Sequence, residues 1–199
     1  MIKDLPIYKA YIKNDDDGMY CVSLVESPAV ESNFLCFNSQ KELLKFKIEN
    51  EEERIITGVL MRCNFPIYRV DASGFEYYVL YDKETIEIMA EKWLADGLIN
   101  NINIEHNSNN MVNGLFLKEV YIKDTKKGIN PKGFEDISDF SLFATYKVIN
   151  NEIWNEIKNG TYKGFSLEGF FELKLNNEEE DEKQLLEEIL TMLKQLDNK

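Results

Sequence analysis

Short β-like runs, rich in apolar residues, alternate with turns in the first third of the chain, at positions 7–12, 20–25, 34–37 and 54–62. Such runs bounded by turns are typical of β-strands. A further strand is predicted from Phe75 to Tyr81. The pattern therefore predicts a mainly antiparallel sheet or barrel in this part of the chain.

A helix is predicted directly after this strand. Asp82 is placed to cap its first turn, and Gly97 is placed to end it. Between them, apolar residues recur with the spacing of one helix face, at Ile86, Met89, Ala90, Trp93 and Leu94.

The second half of the chain repeats the mixture of strands and turns. Strands are predicted at 102–106, 111–123 and 140–149, with a polar turn at 107–110 and a Gly/Pro-rich loop at 128–133. A short helix around Trp154 precedes a final strand from Gly164 to Leu175. The predicted fold class is α+β: a mainly antiparallel β-barrel flanked by helices.

Composition changes sharply near Asn177. Residues 178–199 hold eight acidic residues and three lysines, a net charge of −5. One apolar stripe remains, formed by Leu186, Ile189, Leu190, Leu193 and Leu196. We therefore predict a domain over residues 1–177 and an acidic amphipathic helical tail over 178–199, which docks on the domain or on another chain.

Charge and composition exclude several classes of function. The chain has 23 Lys and Arg against 36 Asp and Glu, a net charge of −13, so binding to nucleic acid is not expected. The three cysteines form no CxxC pair, and His106 is the single histidine, which excludes multi-histidine metal sites. No apolar run reaches the length of a membrane helix. We expect no membrane association, no metal and no organic cofactor.

Two residues are candidates for acyl-transfer chemistry. Ser166 lies between glycines in the segment Gly164–Gly169, where the backbone can approach a substrate closely. Serines beside glycines are also common in ordinary turns. His106 is predicted at a strand end, and imidazole is the natural general base for a serine near neutral pH. Residue types alone leave open whether the two side chains form a nucleophile–base pair or are structural.

Seven segments carry a resemblance to a known family. They are V-S-L-V-E-S-P-A (22–29), I-T-G-V-L-M (56–61), P-I-Y-R (66–69), E-Y-Y-V (76–79), N-I-E-H-N (103–107), K-E-V-Y-I-K-D (118–124), and W-N-E-I-K-N-G (154–160) leading into G-F-S-L-E-G (164–169). In this order they resemble the phage prohead (capsid maturation) serine proteases of the XkdF-type branch, which are distantly similar to the herpesvirus assemblins.

This resemblance implies a serine endopeptidase with Ser166 as nucleophile and His106 as general base, on an assemblin-like barrel. Its substrates would be phage scaffold protein and extensions of the major capsid protein, cleaved inside the assembling prohead in the host cytoplasm. A homodimer is suggested by analogy with assemblins. The resemblance also implies a circular permutation, because the V-S-L-V strand follows the serine in other prohead proteases.

The third catalytic residue departs from the family pattern. Assemblins use a second histidine, which this chain lacks, and other prohead proteases place an acid where this chain has Cys21. Glu119 and Glu168 are the remaining candidates, and Glu119 is preferred as the third member. The alternative function is a catalytically silent phage head scaffold or cargo protein with a protease-like body.

Overall fold

The computed structural model describes residues 5–27, 47–50, 53–71 and 73–176. These residues form twelve strands and two α-helices. The predicted strand at 34–37 and the predicted tail helix at 178–199 lie outside the described residues. Among the described residues, no helix is long and apolar enough to cross a membrane.

The strands are β1 (Ile7–Tyr11), β2 (Gly18–Val25), β3 (Lys47–Asn50), β4 (Ile55–Met61), β5 (Ile67–Val70), β6 (Glu76–Leu80), β7 (Ile102–Ile104), β8 (Asn107–Met111), β9 (Leu115–Ile122), β10 (Leu142–Val148), β11 (Gly164–Phe170) and β12 (Glu172–Leu175). They assemble into three four-stranded sheets, with the orders β12-β1-β6-β5, β3-β4-β10-β9 and β11-β2-β7-β8.

Most strand pairs are antiparallel; the pairs β1–β6 and β2–β7 are parallel. The prediction of an α+β fold with mainly antiparallel sheets is therefore confirmed. The predicted barrel is wrong for the described residues, because the strands divide among three separate sheets and no closed barrel forms.

Both predicted helices form. The first, α1 (Lys83–Ala95), is capped by Asp82, whose carboxylate accepts a hydrogen bond from the Thr85 N–H. It packs against β2. The second, α2 (Asn151–Lys158), is capped by the Asn150 side chain and packs against β10. Side-chain caps satisfy N–H groups that the first turn leaves without intrahelical partners.

One continuous core joins the sheets and α1. Its largest fully buried side chains include Trp93 of α1, Tyr146 of β10 and Phe165 of β11. Phe165 lies against Tyr146, with ring centroids 5.3 Å apart. Because Phe165 faces this core, the neighbouring residue Ser166 faces the other side of its strand.

The predicted strand 164–175 divides into β11 and β12 at Phe171. A β-bulge lies between Glu168 and Gly169, and β12 leaves the sheet of β2 to pair with β1. Beside this bulge, Gly169 lies so close to β2 that a Cβ would be 2.7 Å from the Gly18 carbonyl oxygen. This close approach favours glycine at position 169.

We predict that Gly169→Ala lowers the free energy of unfolding by about 1–3 kcal/mol, because the backbone of Gly18 must move to admit a methyl group. Urea unfolding measures this change. Gly74→Ala is a separate reference that gives the cost of backbone strain without a clash, since open space surrounds that position and its positive φ opposes a side chain. An unchanged midpoint for Gly169→Ala would show that the two strands can separate without cost.

Candidate active site

A cavity of about 490 Å³ opens beside β11 and the end of β2. It contains both residues that the sequence suggested for acyl transfer. Its walls are formed by Tyr20, Val25, Ser27, Arg69, Tyr81, Glu105, His106, Ser166, Leu167, Glu168, Gly169 and Phe171.

Ser166 lies on β11 and pairs directly with Ser23 on β2. Ser23 in turn pairs with Asn103 on the parallel strand β7. The three side chains therefore share one sheet face across three strands, and Glu168 joins them two residues beyond Ser166. Ser166 is 4% exposed but lines the cavity, whereas Ser23 is fully buried and does not.

His106 occupies a tight turn rather than the strand end that the sequence predicted. β7 ends at Ile104 and β8 begins at Asn107, so Glu105 and His106 are the two connecting residues. Both have positive φ, 50° and 57°. The predicted polar turn at 107–110 is also wrong, because these residues form β8. Two left-handed residues match the twist of a two-residue hairpin turn, although neither is glycine. Such backbone conformations occur often at functional sites.

A hydrogen-bond network holds the Glu168 carboxylate beside this turn. Asn103 Nδ2 donates to Glu168 Oε1 over 2.6 Å, and Ser23 Oγ lies 2.7 Å from the same oxygen. Ser23 Oγ also lies 2.6 Å from the Asn103 carbonyl oxygen Oδ1. Tyr20 donates to the other carboxylate oxygen over 3.4 Å. The carboxylate is thus fixed by side chains from two neighbouring strands.

His106 contacts this network through one ring nitrogen. Its Nδ1 lies 3.1 Å from Ser23 Oγ and 3.4 Å from Glu168 Oε1. Ser23 has one proton to donate, and both the Asn103 and Glu168 oxygens are nearer to it than Nδ1. A carboxylate only accepts hydrogen bonds. Nδ1 therefore carries the proton in neutral His106, which leaves the lone pair of Nε2 as the base.

The ionised form of Glu168 is favoured by this arrangement. Burial alone raises its pKa, but the hydrogen bonds from Ser23 and Asn103 and the nearby His106 outweigh burial and lower the pKa below its ordinary value. An ionised carboxylate at this position can accept a hydrogen bond from Nδ1 and so orient the imidazole.

Cys21 pairs with Glu168 across β2 and β11. Burial, together with the negative charge of Glu168, raises the pKa of the Cys21 thiol to about 11. The thiol is therefore protonated near neutral pH and is a poor nucleophile. The carboxylate at this place in the sheet belongs to Glu168, the cross-strand partner of Cys21.

Glu119, the preferred third member, lies on β9 in a different sheet from Ser166. It is exposed and does not line the cavity. The structure thus brings together Ser166, His106 and Glu168, and it leaves Glu119 apart. The Gly/Pro-rich 128–133 loop does not line the cavity either.

The sequence did not indicate Ser23 or Asn103 as parts of the site. A signal was present, since Ser23 interrupts the apolar run Val22–Val25 and is buried within it. Buried polar side chains in a strand require partners. The identity of those partners depends on the register between β2, β7 and β11, which the sequence pattern does not contain.

Comparison with known proteins finds a matching family. The sequence model of the family described as "Putative phage serine protease XkdF" matches residues 41–174. The chain belongs to this family. The match includes His106, Ser166 and Glu168, and it begins after β2, the strand of Ser23.

Membership of the XkdF family confirms the resemblance that the seven segments indicated. No curated protein and no solved structure matches the chain. The assemblin likeness and the circular permutation therefore stay predictions. In the part of the chain that the structure describes, no group of three or more His, Cys, Asp or Glu residues is arranged to hold a metal ion.

We predict that Glu168 makes stability depend on pH. Because the folded-state pKa is lowered, the unfolded chain binds this proton more readily, and the contribution is complete only above the ordinary pKa of 4.5. It is lost as the pH falls through the folded-state pKa. The stability difference between wild type and Glu168→Gln should therefore shrink as the pH falls from neutral to about 3.

Urea unfolding at each pH measures this difference. Glu119→Gln is the matched control, because it removes an exposed carboxylate outside the network. A difference for Glu168→Gln that stays constant across the pH range would contradict the lowered pKa.

Proposed function

We propose that this protein is a serine endopeptidase in which Ser166 is the nucleophile, His106 is the general base and Glu168 is the orienting carboxylate. The observation that carries the proposal is the convergence of these three residues on one cavity, with His106 Nδ1 3.4 Å from the Glu168 carboxylate. Membership of a phage serine protease family supports the same reaction class.

The chemistry follows from the proton positions. Nε2 of His106 accepts the Ser166 hydroxyl proton as Oγ attacks a peptide carbonyl carbon, and the carbonyl electrons move to the oxygen. The imidazolium then donates this proton to the leaving amine, which releases the first product and leaves an acyl-enzyme on Ser166. Water, deprotonated by His106, then attacks the ester carbonyl; the bond to Ser166 Oγ breaks, and the imidazolium returns the proton to Oγ as the second product leaves. The ionised Glu168 stabilises each imidazolium form.

Two serines lie close to this site, and their surroundings favour different roles. Ser23 is fully buried, and its hydroxyl lies within hydrogen-bonding distance of Asn103, Glu168 and His106 Nδ1. Ser166 lines the cavity, where a substrate can reach it. Within the described residues no hydrogen bond joins Ser166 to His106; catalytic hydrogen bonds are often long until substrate binds. Ser23 is thus a positioning residue.

A polypeptide substrate fits the edge of the sheet. Among the described residues β11 pairs only with β2, so its other edge offers backbone groups next to Ser166. An extended polypeptide can add to such an edge through main-chain hydrogen bonds. With the family assignment, this supports phage scaffold protein and capsid protein extensions as substrates, cleaved during head maturation.

We expect a fluorophosphonate probe to label the wild-type protein with one probe molecule per chain and not to label Ser166→Ala. His106→Ala should lower the labelling rate by on the order of 10³-fold or more, because the hydroxyl loses its base. Intact-mass analysis at low and high protein concentration measures both. Peptide mapping should place the adduct on Ser166; an adduct on Ser23 would reverse the two roles.

An absence of labelling at any concentration, in a protein with a cooperative unfolding transition, would contradict the endopeptidase proposal. That result would favour the catalytically silent head protein.

Glu168→Gln should lower the labelling rate by on the order of 10²-fold or more, since a neutral amide does not stabilise imidazolium as a carboxylate does. Glu119→Gln should leave the rate unchanged within about twofold, because Glu119 lies in another sheet. Equal effects of the two substitutions would remove the basis for choosing Glu168.

A further inference from the structure

Two aromatic side chains stack on each other at the rim of the cavity, and the proposed chemistry does not use their rings. Tyr20 lines the cavity, and its ring centroid lies 5.2 Å from that of Phe170 with an interplanar angle of 30°. Tyr20 is 37% exposed, and Phe170 is 64% exposed. Exposed aromatic rings release free energy when an apolar group covers them, so this pair favours an apolar ligand.

The strand geometry places Phe170 on the face of β11 that carries the site. Ser166, Glu168 and Phe170 are spaced by two residues within this strand. A period of two places their side chains on one face. The ring of Phe170 is therefore the next feature that a polypeptide meets along this face beyond the Glu168 carboxylate.

A β-bulge brings Tyr20 to the same face. The register of β11 against β2 passes from Cys21 directly to Met19, so Tyr20 is an extra residue of β2 at this point. An extra residue changes the direction of side chains locally. The Tyr20 hydroxyl donates to Glu168 Oε2 over 3.4 Å, which holds the phenol on the side of the Glu168 carboxylate.

We propose that the Tyr20 and Phe170 rings form a platform for an apolar side chain of the polypeptide substrate. The inference rests on the proposed endopeptidase function and specifies its substrate class. A Leu, Met or Phe side chain on the rings removes apolar surface of both partners from water, and an aromatic side chain adds a ring contact. A polar side chain gains less, because Phe170 offers no hydrogen bond and the Tyr20 hydroxyl already donates to Glu168.

The cavity connects Ser166 with the platform. Residues 166–169 of β11 line it, as does Tyr20, so a polypeptide bound at Ser166 can continue along this strand to the rings. Ser166 and Phe170 are four residues apart, roughly 13 Å at the usual strand rise. An extended substrate covers this distance with about four residues, so the apolar residue should lie about four positions from the bond that is cleaved.

The size of the platform favours a substrate over a second copy of the chain. A buried Phe or Tyr side chain contributes about 150–250 Å². A standard stable interface buries roughly 800 Å² per partner, so two rings supply too little area for one. An extended peptide needs only local side-chain contacts, since its main chain can pair with the strand edge.

The test is a positional-scanning library of fluorogenic peptides, cleaved by wild type, Phe170→Ala and Tyr20→Ala. Wild type should prefer Leu, Met or Phe over Ser or Asn by about tenfold or more in kcat/KM at one position, about four residues from the cleaved bond. Each variant should reduce this preference to about twofold, because each removes one of the two rings. Phe170→Lys should shift the preference toward Asp and Glu.

Two variants serve as matched controls. Tyr20→Phe keeps the ring without the hydroxyl, so it should retain the preference that Tyr20→Ala loses. Phe75→Ala removes another exposed ring: Phe75 is 47% exposed and stacks on Tyr77, but it adjoins β6, which belongs to a different sheet. It should leave the preference unchanged. An equal loss in Phe75→Ala and Phe170→Ala would overturn the platform.

Fluorophosphonate labelling of the wild-type protein separates this inference from the proposed function. A labelled Ser166 with no apolar preference, or with one that Phe170→Ala retains, would overturn the platform and leave the endopeptidase intact. So would a dimer that Phe170→Ala converts to a monomer while the preference stays, since the rings would then bind a second copy. Unlabelled wild type that cleaves no peptide would overturn the proposed function itself. If Tyr20→Ala does not fold, Phe170→Ala and Phe170→Lys still decide, because Phe170 lies at the surface.

Discussion

The candidate site depends on one interaction, the hydrogen bonds that Asn103 and Ser23 form with the Glu168 carboxylate. Their three strands are adjacent in one sheet, and the register places Ser166, Ser23 and Asn103 in a row across it. Asn103 donates to the carboxylate, and Ser23 lies between that carboxylate and His106 Nδ1. A shift of one residue in either strand pair would turn these side chains to the opposite face of the sheet, where Phe165 packs in the core. The fold and the site are therefore specified by the same register.

The site contains two kinds of residue, namely buried residues that bind the Glu168 carboxylate and an exposed histidine beside the cavity. Ser23 and Asn103 are at most 1% exposed, so their hydrogen bonds form away from competing water. His106 is carried by a tight turn at the rim, and its side chain is 45% exposed. The turn has two non-glycine residues with positive φ, a conformation that the surrounding hairpin must stabilise. A rigid carboxylate thus orients an exposed imidazole toward the cavity that Ser166 lines.

Much of the fold could be predicted from the sequence, whereas the site could be predicted only in part. Asp82 and Gly97 mark the ends of α1 because capping is a local property of the chain, and the apolar face of α1 follows from its period. His106 and Ser166 stood out by residue type. The local sequence could not decide between Glu119 and Glu168 as the third member of the site. The period of two places Glu168 on the same strand face as Ser166. Only the pairing of β11 with β2 and of β2 with β7 brings Glu168 to His106. The division of the final strand at Phe171 is likewise not local, because β11 pairs with β2 whereas β12 pairs with β1, and both partners are far away in sequence.

The most direct test of this account is the tautomer of His106, and the single histidine makes the measurement unambiguous. Two-bond nitrogen–proton NMR spectra of the histidine-labelled protein, recorded above the pH at which the imidazole loses its charge, distinguish protonated Nδ1 from protonated Nε2. The account predicts that neutral His106 carries its proton on Nδ1, beside Ser23 and Glu168, and that Glu168→Gln weakens this preference. A neutral imidazole protonated on Nε2 in the wild-type protein would contradict it, because the lone pair of that tautomer is on Nδ1, beside Ser23 and Glu168, and Nε2 has none with which to accept the proton of Ser166.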